Sequence, residues 1–181
     1  MRLGSWCRRL ADEDRASEIA EAALVLPLVF MLLLGIIWFG RAFNIYSTIT
    51  YAAREGARVA VVGTGPSCAT CGSTPPTASE VYTRVSQVLQ ASHIDPTQIK
   101  SYPPNPLPSL GTCSGSAATN ASNHVTVYSN VQVNAPTAPT VPPACGVVVS
   151  FEYPFSFYFP FASLNKQQVL LKAVAQMQGE N

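Results

Sequence analysis

Charged side chains are scarce in this chain: only 12% of its 181 residues are Asp, Glu, Lys or Arg, and the formal net charge is +1. Nucleic-acid-binding proteins usually present a basic surface, so this balance gives no reason to expect a nucleic-acid partner. The two histidines, His93 and His124, are isolated, and no Cys/His cluster has zinc-ligand spacing. No glycine-rich phosphate loop ends in Lys-Ser or Lys-Thr. We therefore expect no metal ion and no cofactor.

Charge is absent altogether between Ala22 and Gly40, a run of 19 residues. As a helix, this run reaches about 29 Å, close to the ~30 Å hydrocarbon core of a bilayer. It lacks the polar stripe of a soluble helix, and only Pro27, which we expect to kink it, interrupts the pattern. We predict one transmembrane helix over 22–40. A removable signal peptide is the alternative, but the run exceeds the usual hydrophobic region of about 7–15 residues and no Ala-x-Ala site follows.

The basic residues before this run predict its orientation. Clustered arginines beside a short tail favour a cytoplasmic tail, although Arg41 on the other side weakens the asymmetry. The bulk of the chain is then extracytoplasmic, attached to the cytoplasmic (inner) membrane by a single pass through the lipid. The arginines of the tail are Arg2, Arg8, Arg9 and Arg15.

The cysteines agree with this orientation. Cys7 lies on the cytoplasmic side, where thiols stay reduced, and four others lie beyond the membrane, where disulfides form. Four cysteines allow three connectivities, between which sequence cannot choose. We favour Cys68–Cys71 together with Cys113–Cys145.

Helical character continues from Arg41 to Val62, because apolar and small residues recur at spacings of three and four. Small residues on one helix face permit close approach of another backbone. The partner is either the chain's own head domain, which we favour, or a helix of another subunit. Glu55 and Arg58, three residues apart, can pair. The small residues are Ala53, Gly56, Ala57 and Ala60.

The remainder of the chain predicts a small head domain. Thr77 and Glu80 have capping-box spacing and open a second helix. Apolar alternation predicts strands at 99–102, 124–133, 147–153 and 169–177, the last of which is also compatible with a helix. The fold class is therefore α+β: a long N-terminal helix with a transmembrane half and an exposed half, a second helix and a small antiparallel sheet.

Two short boxes flank the apolar run. The first consists of Glu21, Ala23, Leu24, Val25 and Pro27, and the second is Ala52-Ala53-Arg54-Glu55-Gly56-Ala57-Arg58. Both boxes at this separation resemble the N-terminal region of TadE-like proteins, minor pseudopilins of the Tad (tight adherence, Flp-type) pilus machinery. The resemblance covers about residues 16–62. It implies a pilin-like fold and a non-enzymatic role in pilus assembly and cell adhesion, either in the membrane or in the pilus itself.

The resemblance also implies processing. In pseudopilins of this kind, a prepilin peptidase removes a basic leader by cutting after a small residue, five positions before the glutamate. With Glu21 in that role, the cut falls between Ala16 and Ser17; with Glu18, the acidic Glu13 would precede the cut. The implied segments are a cytoplasmic leader at 1–16, the long helix at 17–62 and the extracytoplasmic head at 63–181. Glu21 would then pair with the new α-amino group of a neighbouring pilin during assembly.

A different class of function comes from Cys68-Ala-Thr-Cys71, which has the spacing of a redox motif. A thioredoxin-like site places that motif at a helix N-terminus, whereas here the flanking Gly, Ser and Pro residues indicate a loop. A membrane-tethered thiol–disulfide protein is therefore the alternative to a pilus component. We expect no catalytic residues, and the expected partners are membrane lipid, other pilins and the prepilin peptidase.

Overall fold

The computed structural model describes residues 14–62, 76–102, 118–133, 144–156 and 168–179. The chain divides into two units, Met1–Ala42 and Phe43–Asn181. The prediction of an α+β fold with a long N-terminal helix, a second helix and an antiparallel sheet is confirmed. The elements are α1 (Asp14–Val61), α2 (Ala78–Ala91), a 3₁₀ turn (Pro96–Gln98), β1 (Ala118–Ser122), β2 (Val125–Gln132), β3 (Cys145–Ser156) and β4 (Gln168–Gln178).

The first unit contains the apolar half of α1. The helix begins at Asp14, continues through Pro27 and ends at Val61, one residue before the predicted end at Val62. Within the described residues, α1 is the one helix that is long and apolar enough to cross a bilayer. Its most apolar 18-residue window has a mean hydropathy of 2.7, and none of that window is buried. This half of the helix fits a membrane anchor by length and composition.

The second unit contains a four-stranded antiparallel sheet in the order β1-β2-β3-β4. Three of its strands were predicted, and the segment at 169–177 is a strand rather than a helix. Strand β1 was not predicted. It pairs with β2 through a two-residue turn at Asn123 and His124, whose φ angles of 44° and 69° are typical of a hairpin turn.

The predicted strand at 99–102 is reduced to a single bridge between Lys100 and Glu152. The chain there follows directly on the 3₁₀ turn, and Lys100 is the one residue of this segment that pairs with β3. Ser101 completes the local contact through a 2.9 Å hydrogen bond between its hydroxyl and Nδ1 of His124. This segment thus extends the sheet next to β3, where β2 has already turned away.

One face of the sheet forms the core with α2 and the distal half of α1. The alternating residues of β3 that the sequence placed on one face are buried here, Val147, Val149 and Phe151 completely. Helix α2 contributes Val81, Val85 and Leu89, which are also fully buried. The residues of α1 that belong to the same hydrophobic core are Ile49, Ala52, Ala53, Ala57 and Ala60.

The start of α2 confirms the predicted capping box. The hydroxyl of Thr77 accepts a hydrogen bond from the Glu80 backbone N–H at 3.3 Å, and the Glu80 carboxylate accepts one from the Thr77 N–H at 2.7 Å. The Glu80 carboxylate thus satisfies the Thr77 N–H, and the Thr77 hydroxyl gives the Glu80 N–H a second acceptor beside the Thr77 carbonyl, to which it also donates at 3.0 Å.

Replacing Thr77 by Ala is expected to lower the free energy of unfolding by about 1 kcal/mol, because the first turn of α2 loses its side-chain acceptor at the N-cap. The measurement is denaturant unfolding of the full chain in detergent. Thr83→Ala is the matched control: its hydroxyl donates to the Ser79 carbonyl at 2.8 Å inside the same helix. That change should stay within about 0.5 kcal/mol. Equal losses in the two variants would contradict a specific capping role.

Candidate functional site

The first turns of α1 contain the predicted processing and assembly residues. Ala16 and Ser17 lie within the helix, so the predicted cut falls in its first turn. Glu18 and Glu21 are both exposed. Glu21 immediately precedes the uncharged run, so its carboxylate lies at the edge of the apolar surface. An anion in that position is well placed to meet a cation contributed by another molecule.

The apolar surface after Glu21 is exposed in the isolated chain. Large side chains such as Leu24, Phe30 and Ile37 each expose more than half of their area, and they occur on every side of the helix. Exposed apolar area of this extent requires lipid or other helices to cover it. At its far end, the Arg41 guanidinium lies 5.7 Å from the centroid of the Trp38 ring. Such an aromatic–cation pair is typical of the boundary between hydrocarbon and headgroups.

The four predicted helix-packing residues are buried in the second unit: Ala53, Gly56, Ala57 and Ala60. A Cβ atom built on Gly56 would lie 2.8 Å from Val85 Cγ2 and 3.6 Å from Val149 Cγ1. Glycine therefore lets α1 approach α2 and β3 closely. Of the two partners left open by the sequence, the structure places these residues against the chain's own domain.

The ion pair that Glu55 forms is not the one with Arg58 that the sequence offered as possible. The Glu55 carboxylate instead pairs with Arg84 of α2 at 3.1 Å. Glu55 is the less exposed partner, which favours a contact across the helix interface over one along the exposed helix surface. An ion pair of this exposure contributes at most about 1 kcal/mol. Its main consequence is that Glu55 is not available to neutralise the exposed Arg54 and Arg58.

A second surface was missed by the sequence reasoning. Opposite the packed side of α1, a shallow groove is lined by Phe43, Tyr46, Ser47, Thr50, Tyr51 and Arg54. Phe43 exposes 73% of its area and Tyr51 exposes 55%, large fractions for aromatic side chains. The recurrence of aromatic and hydroxyl residues at spacings of three and four was visible in the sequence. It marks a helix face that is amphipathic but not covered by the chain's own domain.

The cysteines remain a prediction. Cys145 is the first residue of β3, and Cys68, Cys71 and Cys113 lie outside the described residues, as does Cys7. Neither the disulfide pairing nor the alternative redox site is therefore described. In the described ranges, no group of three or more His, Cys, Asp or Glu residues is positioned to hold a metal ion.

The perturbed ionisable groups have structural causes. Backbone and side-chain hydrogen bonds from Thr97, at 2.9 and 2.8 Å, lower the pKa of the Asp95 carboxyl below 3.8. A depressed carboxyl pKa stabilises the fold above the unfolded-state pKa, and this contribution is lost as the pH falls through the folded-state value. Burial, with the nearby Asp95 charge, raises the pKa of Tyr153 above 10. Both groups fix the 3₁₀ turn beside the sheet rather than build a reactive centre.

Comparison with known proteins identifies the N-terminal region. Residues 17–58 match the family model described as TadE-like protein. The match covers both boxes of the sequence and the apolar run between them. No curated protein and no solved structure matches the chain.

Proposed function

We propose, from the TadE-like region that residues 17–58 of this chain form, that the protein is a non-enzymatic component of Tad/Flp-type pilus assembly. It acts as a minor pseudopilin that is anchored in the cytoplasmic membrane with its N-terminus inside. A prepilin peptidase removes its leader, and the processed chain associates with other pilins. The observation that carries the proposal is the family match over a helix whose apolar surface the chain itself leaves exposed.

Processing gives the glutamate its chemistry. Cleavage before Ser17 would create an α-amino cation four residues upstream of the Glu21 carboxylate. When the apolar helices of two subunits pack together, water leaves their contact, and an opposite charge becomes the only favourable partner for that carboxylate. The geometry supports this role because Glu21 is exposed at the edge of the apolar run, where a neighbour can reach it.

The leader is expected to end at Ala16. In a host that contains the prepilin peptidase, intact-mass measurement and N-terminal sequencing should find a membrane-bound chain that begins at Ser17. The same chain made without the peptidase should keep residues 1–16 and serves as the control. A native chain that still begins at residue 1 or 2 would show that it is not processed.

Glu21→Gln tests the assembly role. We expect at least about a tenfold loss of co-purification with other pilins, because the amine of the neighbour loses its counter-charge while the side-chain shape is kept. Glu18→Gln is the matched control, since Glu18 is equally exposed one turn earlier. That variant should bind as the natural chain does.

The same variants test the function in cells. A strain that lacks the protein should lose its Tad-type pili and regain them with the natural chain or Glu18→Gln, but not with Glu21→Gln. Membrane insertion, measured as resistance to carbonate extraction, should be unchanged in every variant. Normal piliation of the deletion strain would contradict the proposed function. Normal piliation with Glu21→Gln would contradict only the role of that carboxylate.

A further inference from the structure

Among the residues that the structure describes, strand β4 is an open edge of the sheet. It is the last strand in the order β1-β2-β3-β4 and pairs with β3 over eleven consecutive residues without a bulge. Its other side has no neighbouring strand among the described residues. Such an edge presents a row of backbone donors and acceptors to any extended chain that can reach it.

The hydrogen-bond pattern shows which groups point outward. Glu152 exchanges hydrogen bonds of 2.8 Å with Lys100, on the side of β3 away from β4. Because antiparallel strands alternate, the odd-numbered residues of β3 bond to β4, which agrees with the 2.9 Å bond from Gly179 N to the Cys145 carbonyl. The N–H and C=O groups that point away from β3 therefore belong to the even-numbered residues of β4: Gln168, Leu170, Lys172, Val174, Gln176 and Gln178.

Within the described residues, this edge has little of the usual protection against strand pairing. Proteins block edges with proline, bulges, charged side chains, very short strands or a covering segment. Strand β4 has no proline and no bulge, and Lys172 is its one charged residue. Leu170 and Val174 expose 42% and 37% of their area. The opposite edge, β1, is only five residues long and mostly polar, so the two edges of the sheet differ in their capacity to pair.

We propose that β4 pairs antiparallel with β4 of a second copy of this chain, so that two sheets join into one. In the register centred on Val174, that residue faces its own counterpart, Lys172 faces Gln176 and Leu170 faces Gln178. The two lysines then avoid each other, and the five outward positions from Leu170 to Gln178 each face an outward position of the second copy. A second copy is favoured because it supplies an edge that matches in length, charge and alternation. This inference depends on the sheet and not on the pilus function.

Charge placed at the centre of the register tests the pairing. Val174→Lys and Val174→Glu each put like charges face to face, and each should weaken the dimer about tenfold in sedimentation of the full chain in detergent. Mixing the two variants should restore the dimer. Thr119→Lys and Thr119→Glu, exposed on β1, should change nothing. A mixture that associates no better than either variant alone would overturn the proposal.

Cross-linking supplies an independent readout if a charged variant fails to fold. Val174→Cys places two thiols in a directly opposed pair, about 5.5 Å apart between Cα atoms, which a disulfide can bridge. With two differently tagged copies expressed together, oxidation should give a dimer that carries both tags. Thr83→Cys, exposed on α2, should not cross-link above the natural chain. A Val174→Cys adduct that contains one tag and another protein would show that a different subunit occupies the edge, and the self-pairing would be wrong.

Discussion

Gly146→Ala should unfold the sheet, with a loss of about 3 kcal/mol or more in the free energy of unfolding. Gly146 lies in β3, and a Cβ atom built there would clash with the Met177 carbonyl oxygen and would lie 2.9 Å from the carbonyl carbon. Both are backbone atoms of β4. They can move away only if the β3–β4 ladder separates, whereas a flexible side chain could rotate. The measurement is denaturant unfolding of the full chain in detergent, followed by near-ultraviolet circular dichroism.

The matched control is Gln178→Ala, which alters the residue directly opposite Gly146 on β4. Gln178 is exposed, so its truncation should change the free energy of unfolding by no more than about 0.5 kcal/mol. A stable Gly146→Ala chain would mean that the two strands are not as close as the structure places them. It would also contradict the assignment of outward-pointing N–H and C=O groups on β4, because that assignment depends on the same β3–β4 ladder.

The elements that sequence predicted well are those with a strong internal period. The capping box and the apolar face of α2 specify a local structure and the side that must be buried. The apolar alternation in β2 and β3 specified strands, but it did not show that β3 is buried on both faces, with Val148 and Ser150 as buried as Val147 and Val149. Strand β1 has no such signal, because its sequence Ala-Thr-Asn-Ala-Ser lacks alternating apolar residues. It is held by pairing with β2 across the turn at Asn123 and His124. Tertiary pairing of this kind is not encoded in the strand itself.

The candidate site shows the same division. Position along the chain was enough to mark Glu21 at the start of the apolar run and the small residues on the distal helix. Partner choice was not predictable, because spacing along α1 is equally compatible with a partner inside or outside the domain. Glu55 illustrates this: Arg58 lies about one helix turn away along α1, but Arg84 is the cation that the packing of α2 brings to 3.1 Å. The open edge of β4 likewise follows from strand order, which no local pattern reveals.

Gly56→Val should lower the free energy of unfolding by about 3 kcal/mol. The new Cβ atom would lie 2.8 Å from Val85 Cγ2 and 3.3 Å from Val81 Cγ1, and the two further methyl carbons need space that the core does not have. Valine side chains in a helix have one strongly preferred rotamer, so neither neighbour can turn away cheaply. Gly56→Ala should cost less, because a gain of about 1 kcal/mol in helix propensity offsets part of the clash.

Gly35→Ala is the control in the same helix, since no atom lies within 4 Å of a Cβ built there. It should leave the stability unchanged or raise it slightly. The comparison also separates the two partners that the sequence left open for the distal helix. If Gly56 packs inside its own domain, Gly56→Val destabilises the isolated chain at any protein concentration. If it belonged to a seam between subunits, the isolated chain would keep its unfolding midpoint and only co-purification with other pilins would fall. Because Val81, Val85 and Val149 all belong to the same chain, the first result is the one expected.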